Sequence, residues 1–81
     1  MTLDKFIGLK MREIRLAKGS DAAKVDAALS ISQEKYAAVE LGKVRARPEV
    51  IIDAALFFDV PVTYFLDGFE VSDEVTADRL G

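Results

Sequence analysis

Cysteine and histidine are both missing from this chain of 81 residues. Without cysteine there is neither a disulfide framework nor a thiolate metal site. Without histidine the chain lacks the commonest general base, the commonest metal ligand and every nucleophile that depends on an imidazole. The five glycines are scattered, so no glycine-rich phosphate-binding loop is present. We therefore expect no enzyme, no metal site and no cofactor.

Long apolar runs are missing as well. No stretch approaches the ~18 apolar residues that a membrane-spanning helix needs. The first residues lack the basic and then apolar pattern of a signal peptide. The length allows one domain, and the absence of cysteine fits a reducing compartment. We expect a single soluble domain in the cytoplasm.

The chain also lacks an excess of positive charge. Residues 1–66 carry ten basic and nine acidic side chains, and residues 67–81 carry five acidic side chains against Arg79 alone. The formal net charge of the chain is -3. Nucleic-acid-binding domains usually present an excess of lysine and arginine. The overall charge therefore argues against DNA binding, although a local basic patch would still serve.

The body of the chain predicts helices. No window alternates with the period of a strand, and good helix formers dominate. Glycines supply three helix ends, and a proline suits the start of the fourth helix. The predicted helices cover residues 3–18, 22–29, 33–41, 48–58 and 61–66. The sequence thus predicts an all-α, five-helix domain over residues 1–68 and an acidic tail over residues 69–81. We expect the tail to be mobile unless Phe69, Val71 and Val75 dock it.

Apolar side chains recur at helical spacing and predict the core. The predicted core residues are Ile7, Met11 and Ile14 in the first helix, Val25 and Leu29 in the second, Tyr36 and Val39 in the third, and Ile51, Ile52, Ala55 and Phe58 in the fourth. The second and third helices are separated only by Ser30, Ile31 and Ser32, with Ile31 as the apolar residue of the turn. Two short helices, a tight turn and an inward apolar set are typical of a helix-turn-helix motif.

Three segments resemble the Cro/C1-type helix-turn-helix domain, also described as lambda-repressor-like or XRE-like, of phage repressors and small bacterial regulators. "IGLKMREIRLAKG" resembles the first helix of that family, "ISQEKYAAVELGK" its recognition helix, and "IIDAALFFDVPVTYFLDG" its closing helices. The resemblance covers about residues 5–68 without an obvious gap. It implies the fold, and by itself it implies little about function.

The chain departs from the family pattern at positions that matter for DNA. Ala22 stands where a glutamine commonly braces a phosphate, and Asp26 stands where an alanine lets the two helices cross closely. A carboxylate at such a crossing is costly unless it finds a partner or turns to solvent. Ser30 replaces the usual glycine of the turn. Ala38 stands where lysine or arginine is frequent, and Glu34 repels phosphate.

A DNA-binding site can nevertheless be assembled from the resemblance. The groove-facing positions of the recognition helix fall on Gln33, Glu34, Lys35, Ala37 and Ala38, of which Gln33 and Lys35 have the chemistry to contact base edges. Lys43, Arg45 and Arg47 follow the recognition helix, where the family contacts the sugar-phosphate backbone. Such contacts supply affinity without sequence information. A basic loop that only keeps a small protein soluble is the competing interpretation.

A second set of residues predicts a protein contact. The apolar fraction of 51% is high for so small a domain. On the fourth helix Val50 and Phe57, seven residues apart, are predicted to lie off the core with Leu56 beside them. Leu9 and Leu16 are predicted to lie off the core on the first helix, and Leu41 and Val44 flank Gly42. Contiguous exposed apolar area usually marks a binding site. We take Leu16, Val50, Leu56 and Phe57 as candidate partner-binding residues; a wider core or a homodimer contact is the alternative.

Three functions remain open at this point. The favoured hypothesis is a small transcription regulator with an altered recognition helix that acts by protein contact on another transcriptional regulator, as an antiactivator or antirepressor. In size, acidity and altered motif the chain is similar to the quorum-sensing antiactivators of rhizobial mobile elements. The first alternative is a DNA-binding regulator that binds an operator as a dimer. The second is an antitoxin-like DNA-binding subunit with the acidic tail as its neutralising arm.

Overall fold

A computed structural model describes residues 1–69 of the chain, and every regular element in this part is a helix. Helix α1 spans Leu3–Ala17, α2 spans Ala22–Ala28, α3 spans Gln33–Glu40 and α4 spans Pro48–Phe58. A short 3₁₀ helix, Val62–Leu66, follows. The all-helical prediction is therefore confirmed for the described residues. The predicted fifth helix is a 3₁₀ helix. The prediction that the tail is mobile concerns residues from 70 onward, including Val71 and Val75, and these lie outside the described part.

Side-chain caps and backbone turns fix the helix ends close to the predicted positions. The Lys5 amide donates to Thr2 Oγ1 at 3.2 Å, and the Lys35 amide donates to Ser32 Oγ at 3.0 Å. These bonds satisfy amides that the first turn of a helix leaves unpaired. Pro48 begins α4, where its missing N–H is no loss. The first three helices end one residue earlier than predicted, within the usual uncertainty of helix boundaries.

The turn between α2 and α3 contains a backbone conformation that glycine adopts more easily. Ser30 has a φ of 57°, in the left-handed region. A non-glycine residue there costs about 1–2 kcal/mol because its Cβ approaches the carbonyl oxygen. The Ile31 amide donates to the Asp26 carbonyl oxygen at 3.1 Å and closes the turn. Ser30 therefore stores local strain at the α2–α3 junction.

A single core joins all five helical segments. Its buried side chains are Ile7, Met11, Ile14, Val25, Leu29, Tyr36, Val39, Ala46, Val50, Ala54, Ala55, Phe58 and Phe65. Ile31 and Ile51 pack against this cluster, half-buried. The core predictions for α1, α2 and α3 are confirmed. On α4 two predictions are wrong: Ile52, expected inside, is 49% exposed, and Val50, expected outside, is only 5% exposed.

Asp26 is the one charged residue among the buried ones in the described part of the chain. It lies on α2 next to the core residue Val25, at 8% exposure. None of the ion pairs within residues 1–69 includes it. The carboxylate therefore gains no charged partner there to offset the loss of hydration that makes buried carboxylates unfavourable.

Helices α1 and α3 cross at backbone contact distance. A Cβ placed on Gly8 of α1 would lie 2.4 Å from the carbonyl oxygen of Val39 and 2.6 Å from that of Glu40. Just past α3, a Cβ on Gly42 would lie 2.6 Å from the Lys5 Cα, and Gly42 also has a φ of 73°. Only glycine allows this approach at either position. The crossing presses the end of α3 against the first half of α1.

Aromatic side chains join the end of the described chain to α1. The ring of Phe69 lies 5.2 Å from the ring of Phe6, centroid to centroid. The Lys10 ammonium lies 5.7 Å from the Phe6 centroid and 5.0 Å from the Tyr64 centroid, within the range of a cation–π contact. The first residue of the predicted tail, Phe69, is therefore packed onto α1.

Replacing Gly8 by alanine tests the crossing. We expect Gly8→Ala to lower the free energy of unfolding by about 2–3 kcal/mol, because the new methyl group forces two backbones apart. Alanine otherwise favours a helix interior by about 1 kcal/mol over glycine. The matched control is the exposed Ala23, where Ala23→Gly should be destabilising by about that amount. Urea unfolding followed by circular dichroism measures both, and an unchanged or higher stability of Gly8→Ala would contradict the crossing.

Candidate functional site

The outward face of α3 is mostly apolar and carries one carboxylate and no cation. Tyr36 and Val39 point into the core, so the opposite face is exposed to solvent. This face, the α3 stripe, consists of Glu34, Ala37, Ala38 and Leu41. The four residues have the i, i+3, i+4, i+7 spacing that places them on one side of a helix. Ala38 is half-buried, the others are exposed, and Leu41 is 59% exposed. In a DNA-binding helix this is the side that would enter the groove.

The two base-contacting candidates lie on either flank of the α3 stripe. Gln33 and Lys35 are both exposed. They are two residues apart, so a helix of 3.6 residues per turn points them about 200° away from each other. The structure therefore does not bring Gln33 and Lys35 together on one surface. If one of the two contacts a base edge, the other points away from the DNA.

The three candidate phosphate contacts lie in the loop after α3 and are exposed: Lys43, Arg45 and Arg47. Arg45 Nε lies 3.8 Å from Asp4 Oδ1, and Arg47 Nη1 lies 3.8 Å from Glu49 Oε1. Exposed pairs at this distance contribute little to stability. The basic loop is thus available to a ligand, although each arginine has an acidic neighbour that lowers its local positive potential.

A bidentate ion pair fastens α1 to α3 beside the Gly8 crossing. Arg15 Nε donates to Glu40 Oε2 at 2.7 Å, and Arg15 Nη2 donates to Glu40 Oε1 at 3.1 Å. The two side chains are 17% and 12% exposed. Two parallel charge-assisted bonds fix direction as well as distance. Glu40, near the end of α3, therefore has a structural role.

The environment of this pair shifts the pKa values of Glu40 and Tyr36. Burial pushes the pKa of Glu40 upward, but the hydrogen bonds and the positive charge of Arg15 outweigh it, so its pKa lies below its ordinary value. Burial, and then the neighbouring Glu40 carboxylate, raise the pKa of the Tyr36 hydroxyl. That hydroxyl is buried beside the pair without a well-formed hydrogen bond within residues 1–69. Tyr36 therefore stays neutral, and Glu40 stays charged at neutral pH.

A groove of about 350 Å³ runs between α1 and α3. We call it the α1–α3 groove; its lining residues are Met1, Lys5, Leu9, Arg12, Arg15, Ala37, Glu40 and Leu41. Two residues of the α3 stripe, Ala37 and Leu41, form part of its wall. The sequence showed Leu9 and Leu41 as surplus apolar residues without placing them together. The apolar i+4 pair of Ala37 and Leu41 indicated an apolar side of α3, but its pairing with Leu9 depends on how α1 and α3 cross.

Of the predicted partner-binding residues on α4, Leu56 and Phe57 are exposed and Val50 is not. Leu56 is 75% exposed, and Phe57 is 41% exposed with its ring edge-on to Phe58 at 5.0 Å. The prediction that Val50 belongs to this surface is wrong, because Val50 is buried in the core. Ile52 takes its place, four residues before Leu56 on the same side of the helix. We call Ile52, Leu56 and Phe57 the α4 surface.

Leu16 does not belong to the α4 surface. It is 58% exposed near the end of α1. Leu9 lies seven residues earlier, so both leucines share the outer side of α1. Leu9 lines the α1–α3 groove, and Leu16 extends the apolar side of α1 beyond it. The four residues predicted as one partner surface therefore separate into one core residue, two residues on α4 and one on α1.

Other types of site find no support in the described part of the chain. Residues 1–69 contain no group of three or more acidic side chains placed to hold a metal ion, and no helix among them is long and apolar enough to cross a membrane. Comparison with protein-family models, with curated proteins and with solved structures finds no significant match.

The pH dependence of stability tests the Arg15–Glu40 pair. The pKa of Glu40 is lowered by folding, so its contribution is complete above the ordinary value of 4.5 and is lost as pH falls below it. We expect Glu40→Gln to lower the free energy of unfolding by about 2 kcal/mol at pH 7. The difference from the unmodified chain should persist down to that ordinary value and shrink only below it.

Glu13→Gln is the matched control, because Glu13 is an exposed glutamate of α1. It should leave stability within about 0.5 kcal/mol at every pH. Urea unfolding at stepped pH measures all three proteins. A Glu40→Gln variant as stable as the control at pH 7 would mean that the ion pair does not hold α1 to α3.

Proposed function

We propose that residues 1–68 form a helix-turn-helix domain of the Cro/C1 type that regulates transcription by binding another regulatory protein. The order of helical segments, the three-residue turn between α2 and α3 and the sequence resemblance over about residues 5–68 support the assignment. The protein acts as an antiactivator or antirepressor, without catalytic activity. The absence of histidine and cysteine from the sequence fits a role in binding.

The observation that carries the proposal is the composition of the α3 stripe. A helix that reads DNA places donors, acceptors and cations on the side that enters the groove. The α3 stripe instead carries Glu34, two alanines and the exposed Leu41. A carboxylate there repels phosphate, and a leucine buried against DNA makes no hydrogen bond to a base edge. The same surface suits a protein partner, since exposed apolar area gains free energy when a partner covers it.

The α4 surface is the second support for a protein contact. Ile52 and Leu56 are one helical turn apart, and both leave about half or more of their area exposed. Phe57 adds an aromatic ring that is only partly covered by Phe58. Large apolar and aromatic side chains are the usual anchors of protein interfaces. A homodimer contact through the same surface is compatible with this role.

DNA binding as a dimer is the second candidate, and the loop after α3 favours it. Lys43, Arg45 and Arg47 are exposed next to the recognition helix. In that function the loop holds the phosphates, and the α3 stripe contributes little sequence preference. Regulation by protein contact requires the α4 surface and not the loop cations. DNA binding requires the loop cations and not the α4 surface.

Variants of these two regions decide between the candidates. The chain is expressed in its host, and the transcripts that respond to it are measured by RNA sequencing. We expect Arg45→Ala combined with Arg47→Ala to preserve the response. Phe57→Ala should abolish or strongly reduce it, because losing an aromatic anchor costs about 2–4 kcal/mol of affinity, roughly thirty-fold or more.

Thermal unfolding separates lost binding from lost folding. Phe57 is only partly buried, so we expect Phe57→Ala to cost about 1 kcal/mol of stability, well below the ~3–5 kcal/mol typical of a buried phenylalanine. Leu56→Ala, at a more exposed position, is the control that leaves the fold intact and still weakens the response. If the arginine variant loses the response while Phe57→Ala only loosens the fold, the protein acts by binding DNA.

A further inference from the structure

The α1–α3 groove is an exposed apolar surface separate from the α4 surface. Its apolar part comes from Leu9 on α1 and from Ala37 and Leu41 of the α3 stripe. Leu9 is 43% exposed and Leu41 is 59% exposed. Ala37 keeps the wall of the groove low at its α3 side, because its side chain ends at Cβ. A low wall of small residues is what allows a second helix to approach closely, at the 8–10 Å between axes that packed helices adopt.

The charge of the groove selects its ligand. Lys5, Arg12 and Arg15 line it together with one carboxylate, Glu40. Glu40 is held by Arg15 in two hydrogen bonds, so these two charges largely neutralise each other. Lys5 and Arg12 are exposed, and neither forms an ion pair with another residue of the described range. The groove thus presents apolar side chains beside two available cations.

Two other ligands fit this combination less well. Duplex DNA offers phosphates to Lys5 and Arg12, but it leaves Leu9 and Leu41 against a polar backbone. A second copy of the chain offers α4, in which Glu49 and Asp53 flank the α4 surface. That contact joins two different faces, and a heterologous contact that does not close into a ring produces open chains. A helix from another protein satisfies both the apolar side chains and the cations.

We propose that the α1–α3 groove binds an amphipathic helix of the partner protein, with acidic side chains flanking the helix's apolar face. This inference rests on the proposed function and names the chemistry of the partner. Leucine-type side chains of the bound helix cover Leu9, Ala37 and Leu41. Its carboxylates pair with Lys5 and Arg12. The surface that a DNA-binding relative presents to the groove of DNA is, in this chain, a receptor for a helix.

Two synthetic peptides test the proposal on the full chain. Both are amphipathic helices of about 18 residues, five turns long, with leucines on one face; one has glutamates on the flanks and the other has lysines in the same places. Backbone amide resonances of the labelled chain are followed by NMR during each titration. We expect the glutamate peptide to shift the resonances of Leu9, Ala37 and Leu41, and to bind at least about ten-fold more tightly than the lysine peptide.

Variants identify the groove as the site. Ala37→Gln raises the wall without adding charge, and it should weaken the glutamate peptide about ten-fold or more. Lys5→Gln with Arg12→Gln should bring the affinities of the two peptides together. Ala23→Gln makes the same change at an exposed alanine of α2 outside the groove; it is the control and should change neither affinity. Circular dichroism of each variant verifies the fold.

The results that overturn the proposal are distinct. Equal binding of both peptides, resonance shifts confined to α4, or no binding at all would remove it. A 20-base-pair duplex that shifts the same groove resonances at lower concentration would make the groove a DNA site. Self-association of the chain that Ala37→Gln abolishes would make the ligand a second copy.

The host experiment separates this proposal from the proposed function. If Ala37→Gln retains the full transcript response while Phe57→Ala loses it, the groove proposal fails and regulation by protein contact stands. If only the loop-arginine variant loses the response, regulation by protein contact fails.

Discussion

The close crossing of α1 and α3 at Gly8 determines how the rest of the molecule is arranged. The carbonyl oxygens of Val39 and Glu40 lie where any larger residue would place its Cβ. At this distance Arg15 reaches Glu40 in a bidentate geometry, and Gly42 passes over Lys5 at backbone contact. The crossing therefore sets which face of α3 is buried. Tyr36 and Val39 go inward, and Glu34, Ala37 and Leu41 go outward.

That arrangement determines what α3 offers to a ligand. The α3 stripe is prominent on the surface, as a recognition helix must be, but its side chains suit an apolar contact. The cations near it are Lys35 on its flank, those of the exposed loop of residues 43–47 and those on the α1 side of the groove. A DNA-binding surface needs its cations where the phosphates run, with polar groups at the base edges between them. The chain instead has apolar side chains at the centre and cations at the border, which is the usual composition of a protein interface.

The sequence predicted the helices well because their ends depend on local chemistry. Thr2 and Ser32 cap their helices, Pro48 begins α4 as predicted, and Asp59 ends it with a φ of 57°. The α4 surface was harder to predict. Val50 and Phe57 occupy nearly the same side of an ideal helix, yet one is buried and the other is 41% exposed. Helix α4 packs against α1, α2 and the 3₁₀ helix, so its buried side changes along its length. The helical spacing of apolar residues does not show where along α4 the buried side changes. The α1–α3 groove was not predicted either. It depends on the crossing at Gly8, and in the sequence Gly8 looked like an isolated glycine.

We propose that α3 does not read DNA, and a salt titration of DNA binding tests this proposal most directly. The unmodified chain is titrated onto the duplex upstream of its own gene and onto a random duplex of equal length, at several salt concentrations. The account predicts weak binding with no difference between the duplexes. The slope of log affinity against log salt should be about −3, because three or four cations lie near α3: Lys43, Arg45 and Arg47 in the loop, and Lys35 on the helix itself. Nanomolar binding that prefers a palindrome in the upstream duplex would contradict the account and make this chain a DNA-binding regulator.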